Sequence, residues 1–163
     1  MTKKINTAAV IGAGIMGGGI AALLAGVGIK TLLLDIVPFD LKDDEKSDPV
    51  ARNRIVKAGL DVALMSKPPL FMEVKDVDRI TIGNLEDDFN RLSDCDWIVE
   101  VVGENLKIKH DLFKRVEKVR KKGAIVSSNT SGIPLKAMSE GLGIEFQQHF
   151  IIGLVFFSIL IFL

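Results

Sequence analysis

The feature that most constrains the fold is a glycine pattern near the start of the chain, Gly12-Ala13-Gly14-Ile15-Met16-Gly17. It follows a short apolar run, Thr7 to Ile11, which predicts a buried strand. Ile15 to Ala25 is rich in small residues and predicts a helix, and Lys30 to Leu34 predicts a second strand. The three segments therefore predict a strand–helix–strand unit with a right-handed connection.

The spacing G-x-G-x-x-G is typical of a turn that binds the pyrophosphate of a dinucleotide. Gly12 permits the tight turn, Gly14 lets phosphates approach the backbone, and Gly17 lets the helix pack against the strand. The helix start also offers unpaired N–H groups to an anion. Asp35 ends the second strand, where a carboxylate would bind ribose hydroxyls and repel a 2′-phosphate, so NAD is favoured over NADP. The alternative is a glycine-rich structural turn with Asp35 as an ordinary strand-end residue.

Alternating segments continue along the chain. Further strands are predicted at Arg79–Ile82, Asp96–Val102 and Ala124–Ser127, and further helices at Ala51–Met65, Asn84–Leu92 and Leu106–Lys122. Residues 37–49 are polar and predict a loop, so the helical arm at about 50–66 is an excursion after the second strand. We predict an α/β, Rossmann-like, doubly wound fold with a mainly parallel sheet and helices on both faces.

Composition argues against several classes of function. Lys plus Arg (21) balance Asp plus Glu (21), so no net charge favours nucleic acid or an anionic membrane. One cysteine, Cys95, and two histidines, His110 and His149, predict neither a disulfide nor a metal centre, which suits a cytoplasmic protein. Residues Ala8 to Ile29 are uncharged, but seven of these 22 are Gly, so we expect no membrane span there.

Several motifs in the same order resemble one family. GAGIMGGGIA, LLLD, DWIVEVV, ENLKIKHDLFKRV and SSNTSGI resemble the NAD-binding domain of 3-hydroxyacyl-CoA dehydrogenases over about residues 3–154. LLLDIVP with GNLEDDF is similar to bacterial multifunctional forms, which fuse this domain to an enoyl-CoA hydratase and act in fatty-acid β-oxidation. The resemblance implies NAD as cofactor and an acyl-CoA substrate. It implies a homodimer only where the family's C-terminal domain is present.

The resemblance also implies roles for individual residues. The glycine turn would contact the pyrophosphate, Asp35 would hold the adenosine ribose, and Val101 and Val102 would line the cleft at the end of their strand. The expected cofactor-binding residues are Gly12, Gly14, Ile15, Met16, Gly17, Asp35, Val101, Val102, Glu104, Lys109, Asn129 and Ser131.

Four of these residues would serve the nicotinamide end. Glu104 and Lys109 would lie near the nicotinamide ribose and Asn129 near the nicotinamide. Ser131 would lie there too and would also hydrogen-bond the substrate oxygen. The residues alone leave another interpretation open, in which Glu104 and Lys109 are solvated residues around a helix start and 129–131 is a polar turn with a helix cap.

The end of the chain departs from the family pattern. The family uses a His in an H-F-F-N-P motif as the base, and Val155 occupies that position, with Ser158 and Ile159 replacing the Asn and the Pro. Valine has no titratable group, so we expect little or no turnover by this chain alone.

The domain prediction follows from this departure. We expect residues 1–150 to form the NAD-binding domain and the apolar residues 151–163 to be an aberrant tail from a frameshifted or truncated gene. The family's C-terminal substrate and dimerisation domain would then be absent. A genuine apolar strand with an exposed hydrophobic end is the alternative for the tail. Other functions left open are a non-catalytic NAD-binding module, an NAD-dependent dehydrogenase of another class such as the 6-phosphogluconate type, and a small tail-anchored membrane protein.

Overall fold

The fold is a six-stranded sheet in which every strand pairing is parallel. It is seen in a computed structural model that describes residues 4–152. The strand order is β3-β2-β1-β4-β5-β6. The strands are β1 Thr7–Ile11, β2 Lys30–Asp35, β3 Ile80–Asn84, β4 Trp97–Glu100, β5 Ile125–Ser128 and β6 Phe150–Ile152. This order reverses direction at β1, and β4 lies on the other side of β1 from β2, as in a doubly wound fold.

Helices cover both faces of the sheet, as predicted. The helices are α1 Ile15–Gly26, α2 Pro49–Arg52, α3 Arg54–Met65, α4 Leu106–Val119, α5 Leu135–Met138 and α6 Ile144–Gln148. Ala8 and Val10 of β1 point to the face covered by α1 and α3, whereas Ala9 and Ile11 point to the face covered by α4. This alternation along one strand divides the core into two layers.

The opening strand–helix–strand unit is confirmed nearly to the residue. The predicted segments Thr7–Ile11, Ile15–Ala25 and Lys30–Leu34 correspond to β1, α1 and β2, and the last two each extend one residue further. The uncharged stretch 8–29 therefore folds into this unit. Within residues 4–152, no helix is long and apolar enough to cross a membrane.

The prediction of a helix over Asn84–Leu92 is wrong. Asn84 ends β3, and the helical turn is a 3₁₀ helix at Phe89–Asp94. The side-chain oxygen of Asn84, Oδ1, accepts hydrogen bonds from the backbone N–H groups of Glu86 (3.0 Å) and Asp87 (2.9 Å). A side chain that caps its own following turn competes with helix formation, which accounts for the error. A second 3₁₀ helix lies at Val74–Arg79.

The predicted helical arm is present but divided. A break at Asn53 separates α2 from α3, and α3 ends at Met65 as expected. The predicted helix Leu106–Lys122 ends earlier, at Val119, because Arg120 is extended (φ −58°, ψ 146°). The Arg120 guanidinium lies near the turn that follows, where it donates to the carbonyl of Ala124 (3.1 Å).

Strand β6 closes the edge of the sheet. Phe150 pairs with Val126 of β5, is buried, and packs edge-on against Phe113 with ring centroids 4.8 Å apart. The strand runs through Ile152, two residues beyond the domain boundary predicted at 150. Val155 and the rest of the tail lie outside the described residues, so the predictions made for 153–163 stay predictions.

Candidate functional site

The glycine turn joins β1 to α1 at the carboxyl edge of the sheet. Gly12 has a φ of 104°, which favours glycine, and its N–H donates to the carbonyl of Leu34 (2.8 Å). A Cβ at Gly17 would lie 1.7 Å from the carbonyl oxygen of Gly12, so only glycine allows the helix to pack this closely. These two glycines shape the turn, as their spacing predicts.

Gly14 behaves differently from the other two. It precedes the first residue of α1 with φ −64° and ψ −176°, a conformation that any residue adopts. It is exposed, and a Cβ built on it meets no protein atom within 4 Å. Nothing in the protein itself therefore requires glycine here, but the space above Gly14 is open to a ligand that approaches the helix start.

Asp35 ties the end of β2 to the glycine turn. One carboxylate oxygen accepts a hydrogen bond from the N–H of Ala13 (2.6 Å), and the other accepts one from the N–H of Ile36 (2.7 Å). The side chain is half-exposed and borders the cleft. Each oxygen retains lone pairs, so the carboxylate is able to accept further hydrogen bonds from a diol in the cleft.

The cleft consists of two cavities that meet at Gly14, Val101 and Val102. The first, about 610 Å³, lies on the side of Asp35 and is also bordered by Ile36. The second cavity, about 340 Å³, lies towards Glu104 and Asn129. Its lining residues are Gly14, Ile15, Met16, Gly17, Val101, Val102, Glu104, Asn129 and Thr130. An elongated ligand with a group at each end matches this shape.

Most of the predicted cofactor residues are thus brought together, and two are placed differently. Ser131 is exposed and follows the lining residue Thr130. Lys109 is fully buried: its ammonium donates to Glu100 Oε1 (2.5 Å) and to the carbonyl of Val102 (3.0 Å). This burial rules out the open alternative that Lys109 is a solvated residue at a helix start, and it places no atom of Lys109 at the cleft surface.

Glu104 is the acidic group of the second cavity. It is exposed, and its carboxylate lies beside Gly132, where an added Cβ would come within 2.9 Å of Oε2. Glu104 in the loop after β4 therefore lies against Gly132 in the loop after β5. This contact supports the expectation that Glu104 and the 129–131 segment act at the same end of a ligand.

Sequence reasoning missed Glu100 and Ser128, which are buried side chains at the ends of β4 and β5. Ser128 Oγ donates to Glu100 Oε2 (2.5 Å), and the N–H of Val102 donates to Glu100 Oε1 (2.7 Å). The signal was present in the sequence, because a glutamate within the apolar run DWIVEVV must be paired if it is buried.

The histidines lie away from the cleft. His110 is half-buried, and its ring contacts the carbonyl of Ala137. His149 contacts the carbonyl of Glu145 (2.8 Å). Among residues 4–152 no group of three His, Cys, Asp or Glu side chains is arranged to hold a metal ion.

The residues present fit a dinucleotide. The open space above Gly14 accommodates a diphosphate at the start of α1, and Asp35 offers acceptors for a ribose diol while opposing a second phosphate there. The two cavities join into one cleft that extends from Ile36 to Asn129, and its two ends lie on either side of Gly14.

Comparisons with known proteins agree with this geometry. The model of the family "3-hydroxyacyl-CoA dehydrogenase, NAD binding domain" matches residues 7–159, five residues beyond the predicted end of the resemblance. Relatives named "Probable 3-hydroxyacyl-CoA dehydrogenase" are 47% identical in Bacillus subtilis, over 97% of this chain and 21% of the relative, and 50% identical in Deinococcus radiodurans, over 95% and 42%. The chain thus spans about a fifth to two fifths of these relatives' length.

A solved structure shows the same fold. The dehydrogenase part of multifunctional enzyme 1 from C. elegans superposes with a TM-score of 0.67 and 25% identity, over 92% of this chain and 31% of that one. The sequence match, the superposition and the cleft all concern the same part of the chain.

Proposed function

Since this chain belongs to the 3-hydroxyacyl-CoA dehydrogenase family through the NAD-binding domain, we propose that it is the cofactor-binding part of such an enzyme in fatty-acid β-oxidation. The reaction is hydride transfer between an L-3-hydroxyacyl-CoA and NAD. The observation that carries the proposal is the two-part cleft at the carboxyl edge of the sheet, between the glycine turn and the loops after β4 and β5.

The adenosine half would bind in the larger cavity. Asp35 would accept hydrogen bonds from the ribose hydroxyls with the lone pairs that Ala13 and Ile36 leave free. The backbone from Gly12 to Gly17, with the side chains of Ile15 and Met16, would bind the pyrophosphate at the start of α1.

The nicotinamide half would bind in the smaller cavity. Val101 and Val102 would exclude water from one side of it, and Glu104 and Asn129 would orient the ribose and the ring. Ser131, on the exposed end of the same loop, would hydrogen-bond the substrate oxygen. The bound nicotinamide supplies the hydride acceptor.

The proposed reaction also requires a proton acceptor. Oxidation of a hydroxyl needs a base for its proton, and the resemblance implies that Val155 occupies the position of the family's histidine. We propose that this chain binds NAD, and that oxidation of an acyl-CoA substrate depends on a base that Val155 cannot supply. The same observation favours the second candidate function, a non-catalytic NAD-binding module.

Calorimetry with NADH and NADPH tests the cofactor proposal. We expect the wild-type chain to bind NADH more tightly than NADPH, and we expect Asp35→Asn to weaken NADH binding and to reduce that preference. Asp44→Asn, an exposed change in the loop before α2, serves as the control. A well-folded wild-type chain that binds neither nucleotide would refute the proposal.

A spectrophotometric assay separates the two candidate functions. We expect no acetoacetyl-CoA-dependent oxidation of NADH by the chain alone. If Val155→His in the same chain produced turnover, the dehydrogenase assignment would be supported over the non-catalytic module. Robust turnover by the wild-type chain would refute the claim that a base is missing.

The remaining partner and location statements are also proposals. We propose a cytoplasmic location, which is supported by the single, buried Cys95 outside any disulfide. We further propose that nucleic acid and membranes are not partners, and that a homodimer forms only with the C-terminal domain of the family. Size-exclusion chromatography with light scattering measures the last point, for which a stable dimer of this chain would be contrary evidence.

A further inference from the structure

We propose that Glu100 is a positioning residue that holds both loops of the nicotinamide cavity through a buried network with Lys109 and Ser128. The inference rests on the proposed function, because it concerns how the cofactor cleft is kept in shape. It goes further by giving a role to side chains that do not reach the cleft surface.

The network is buried and charged. The side chains of Glu100 and Lys109 are both 0% exposed, and their charged groups are 2.5 Å apart. Burying such a pair removes two ions from water, so its net effect on stability is commonly near zero or unfavourable. The pair is therefore poorly explained as a stabilising device, and its contacts with the cleft loops suggest what else it does.

The first loop is held at Val102. Its N–H donates to Glu100 Oε1 (2.7 Å), and its carbonyl accepts from the Lys109 ammonium (3.0 Å). The ion pair thus binds both the N–H and the carbonyl group of Val102. Val102 and its neighbours Val101 and Glu104 line the smaller cavity, so the pair fixes the part of the backbone that carries three lining residues.

The second loop is held through Ser128. A carboxylate only accepts hydrogen bonds, so the Ser128 hydroxyl must donate to Glu100 Oε2, and its lone pairs are left for the N–H of Thr130 (3.2 Å). The N–H of Asn129 donates to the backbone carbonyl of Glu100 (2.8 Å). Asn129 and Thr130 line the same cavity as Val101, Val102 and Glu104.

Because the Glu100 carboxylate accepts these hydrogen bonds, the donors of the network all point in a defined direction. The carboxylate orients the Ser128 hydroxyl, the hydroxyl orients the Thr130 peptide, and the peptide sets the wall of the nicotinamide cavity. Loss of the hydroxyl should affect a ligand that occupies this cavity and spare a ligand that occupies only the adenosine side.

The test compares NADH with ADP-ribose, which lacks the nicotinamide. In calorimetry we expect Ser128→Ala to weaken NADH binding about fivefold or more and to change ADP-ribose binding by less than about twofold, since one hydrogen bond is worth about 1 kcal/mol. Ser128→Thr keeps the hydroxyl and should restore NADH affinity.

Ser127→Ala is the matched control. Ser127 is the preceding residue of β5, is equally buried, and accepts a hydrogen bond from Trp97 Nε1 (2.9 Å) on the other face of the sheet. Its loss should leave the ratio of the two affinities unchanged. Equal weakening of both ligands by Ser128→Ala, or no weakening of either, would overturn the inference.

Two further results keep the test decisive. If the wild-type chain binds neither ligand, the proposed function fails, whereas normal wild-type binding without a selective effect of Ser128→Ala overturns the inference alone. Should Ser128→Ala not fold, hydrogen exchange on the wild-type chain replaces it. We expect the amides of Val102 and Thr130 to be protected without ligand, and rapid exchange at both would overturn the inference.

Discussion

Alanine at Gly14 and at Gly17 should separate the two uses of glycine in one turn. At Gly17 the new Cβ would lie 1.7 Å from the carbonyl oxygen of Gly12, and both groups belong to the backbone, so no rotamer relieves the clash. Overpacking of this kind costs about 3 kcal/mol. For a domain of this size that corresponds to a fall in Tm of about 6–12 °C.

At Gly14 the fold should tolerate alanine. The backbone there is already in a conformation open to any residue, and the Cβ meets no atom within 4 Å. Alanine is a poorer helix cap than glycine, but it also restricts the unfolded chain, and each effect is about 0.5–1 kcal/mol with opposite sign. The Tm should therefore change by less than about 3 °C.

Alanine at Gly14 should weaken cofactor binding, although it should hardly change the stability of the fold. Its methyl group would fill the space where the two cavities meet and would separate a phosphate from the N–H groups at the start of α1. Loss of one hydrogen bond to a charged group is worth about 1.5–3 kcal/mol. The Kd for NADH should then rise about 10- to 100-fold.

Thermal unfolding by circular dichroism and calorimetric titration with NADH measure both effects on the same samples. Unchanged NADH affinity in Gly14→Ala would refute the placement of the pyrophosphate at this turn. A Gly17→Ala variant as stable as the wild type would refute the close backbone packing that the structure shows.

Three further predictions concern stability and reactivity. The Lys121 ammonium and the N–H groups of Asn6 and Thr7 hold the pKa of the Asp96 carboxyl well below its ordinary value. The stability that this carboxylate contributes is therefore complete above its pKa in the unfolded chain. It is lost as the pH falls towards and through its pKa in the folded chain. Urea titrations should therefore show Asp96→Asn less stable than the wild type at pH 7, with the difference shrinking below about pH 4, and a constant difference would contradict this account. Burial raises the pKa of the Cys95 thiol to about 11, so iodoacetamide at pH 8 should label it only after unfolding, and rapid labelling of the native chain would show that the thiol is accessible. Phe150→Ala should lower the free energy of unfolding by about 3–5 kcal/mol in chemical denaturation, because the Phe150 ring packs on Phe113 in the core. A loss below about 1 kcal/mol would show that β6 is not part of the cooperative fold.

The pyrophosphate and ribose part of the site, which comprises the glycine turn and Asp35, was predictable because its determinants are local. The turn from Gly12 to Gly17 needs particular residues at fixed spacing, and Asp35 follows directly from the end of the second strand. The structure places these residues around one cavity, as the motif requires. Strand and helix boundaries here were right because apolar runs and small residues both predicted the same elements.

The remainder depends on contacts between distant segments. The role of Ser128 depends on its position next to Glu100, which follows from the pairing of β4 with β5 and not from either segment alone. Lys109 was placed near the ribose by resemblance, but its partner is a buried carboxylate nine residues earlier. The helix predicted at 84–92 failed because a single asparagine side chain satisfied the backbone in another way.

Gly59 of α3 is constrained by tertiary packing that no sequence motif predicted. A Cβ there would lie 2.0 Å from the carbonyl oxygen of Ala13, so the helical arm packs with its backbone directly against the glycine turn. Any larger residue at this position would push the arm away from the turn, which explains why a helix interior contains a residue of poor helix propensity.

The consequence of this packing is thermodynamic. The turn is enclosed by β1, by the Asp35 carboxylate and by the backbone of α3, so its conformation is already set before any ligand arrives. Association then requires no ordering of the phosphate-binding backbone, so this part of the entropic cost of binding is absent. Such preorganisation removes a conformational step in the turn from the association of the ligand.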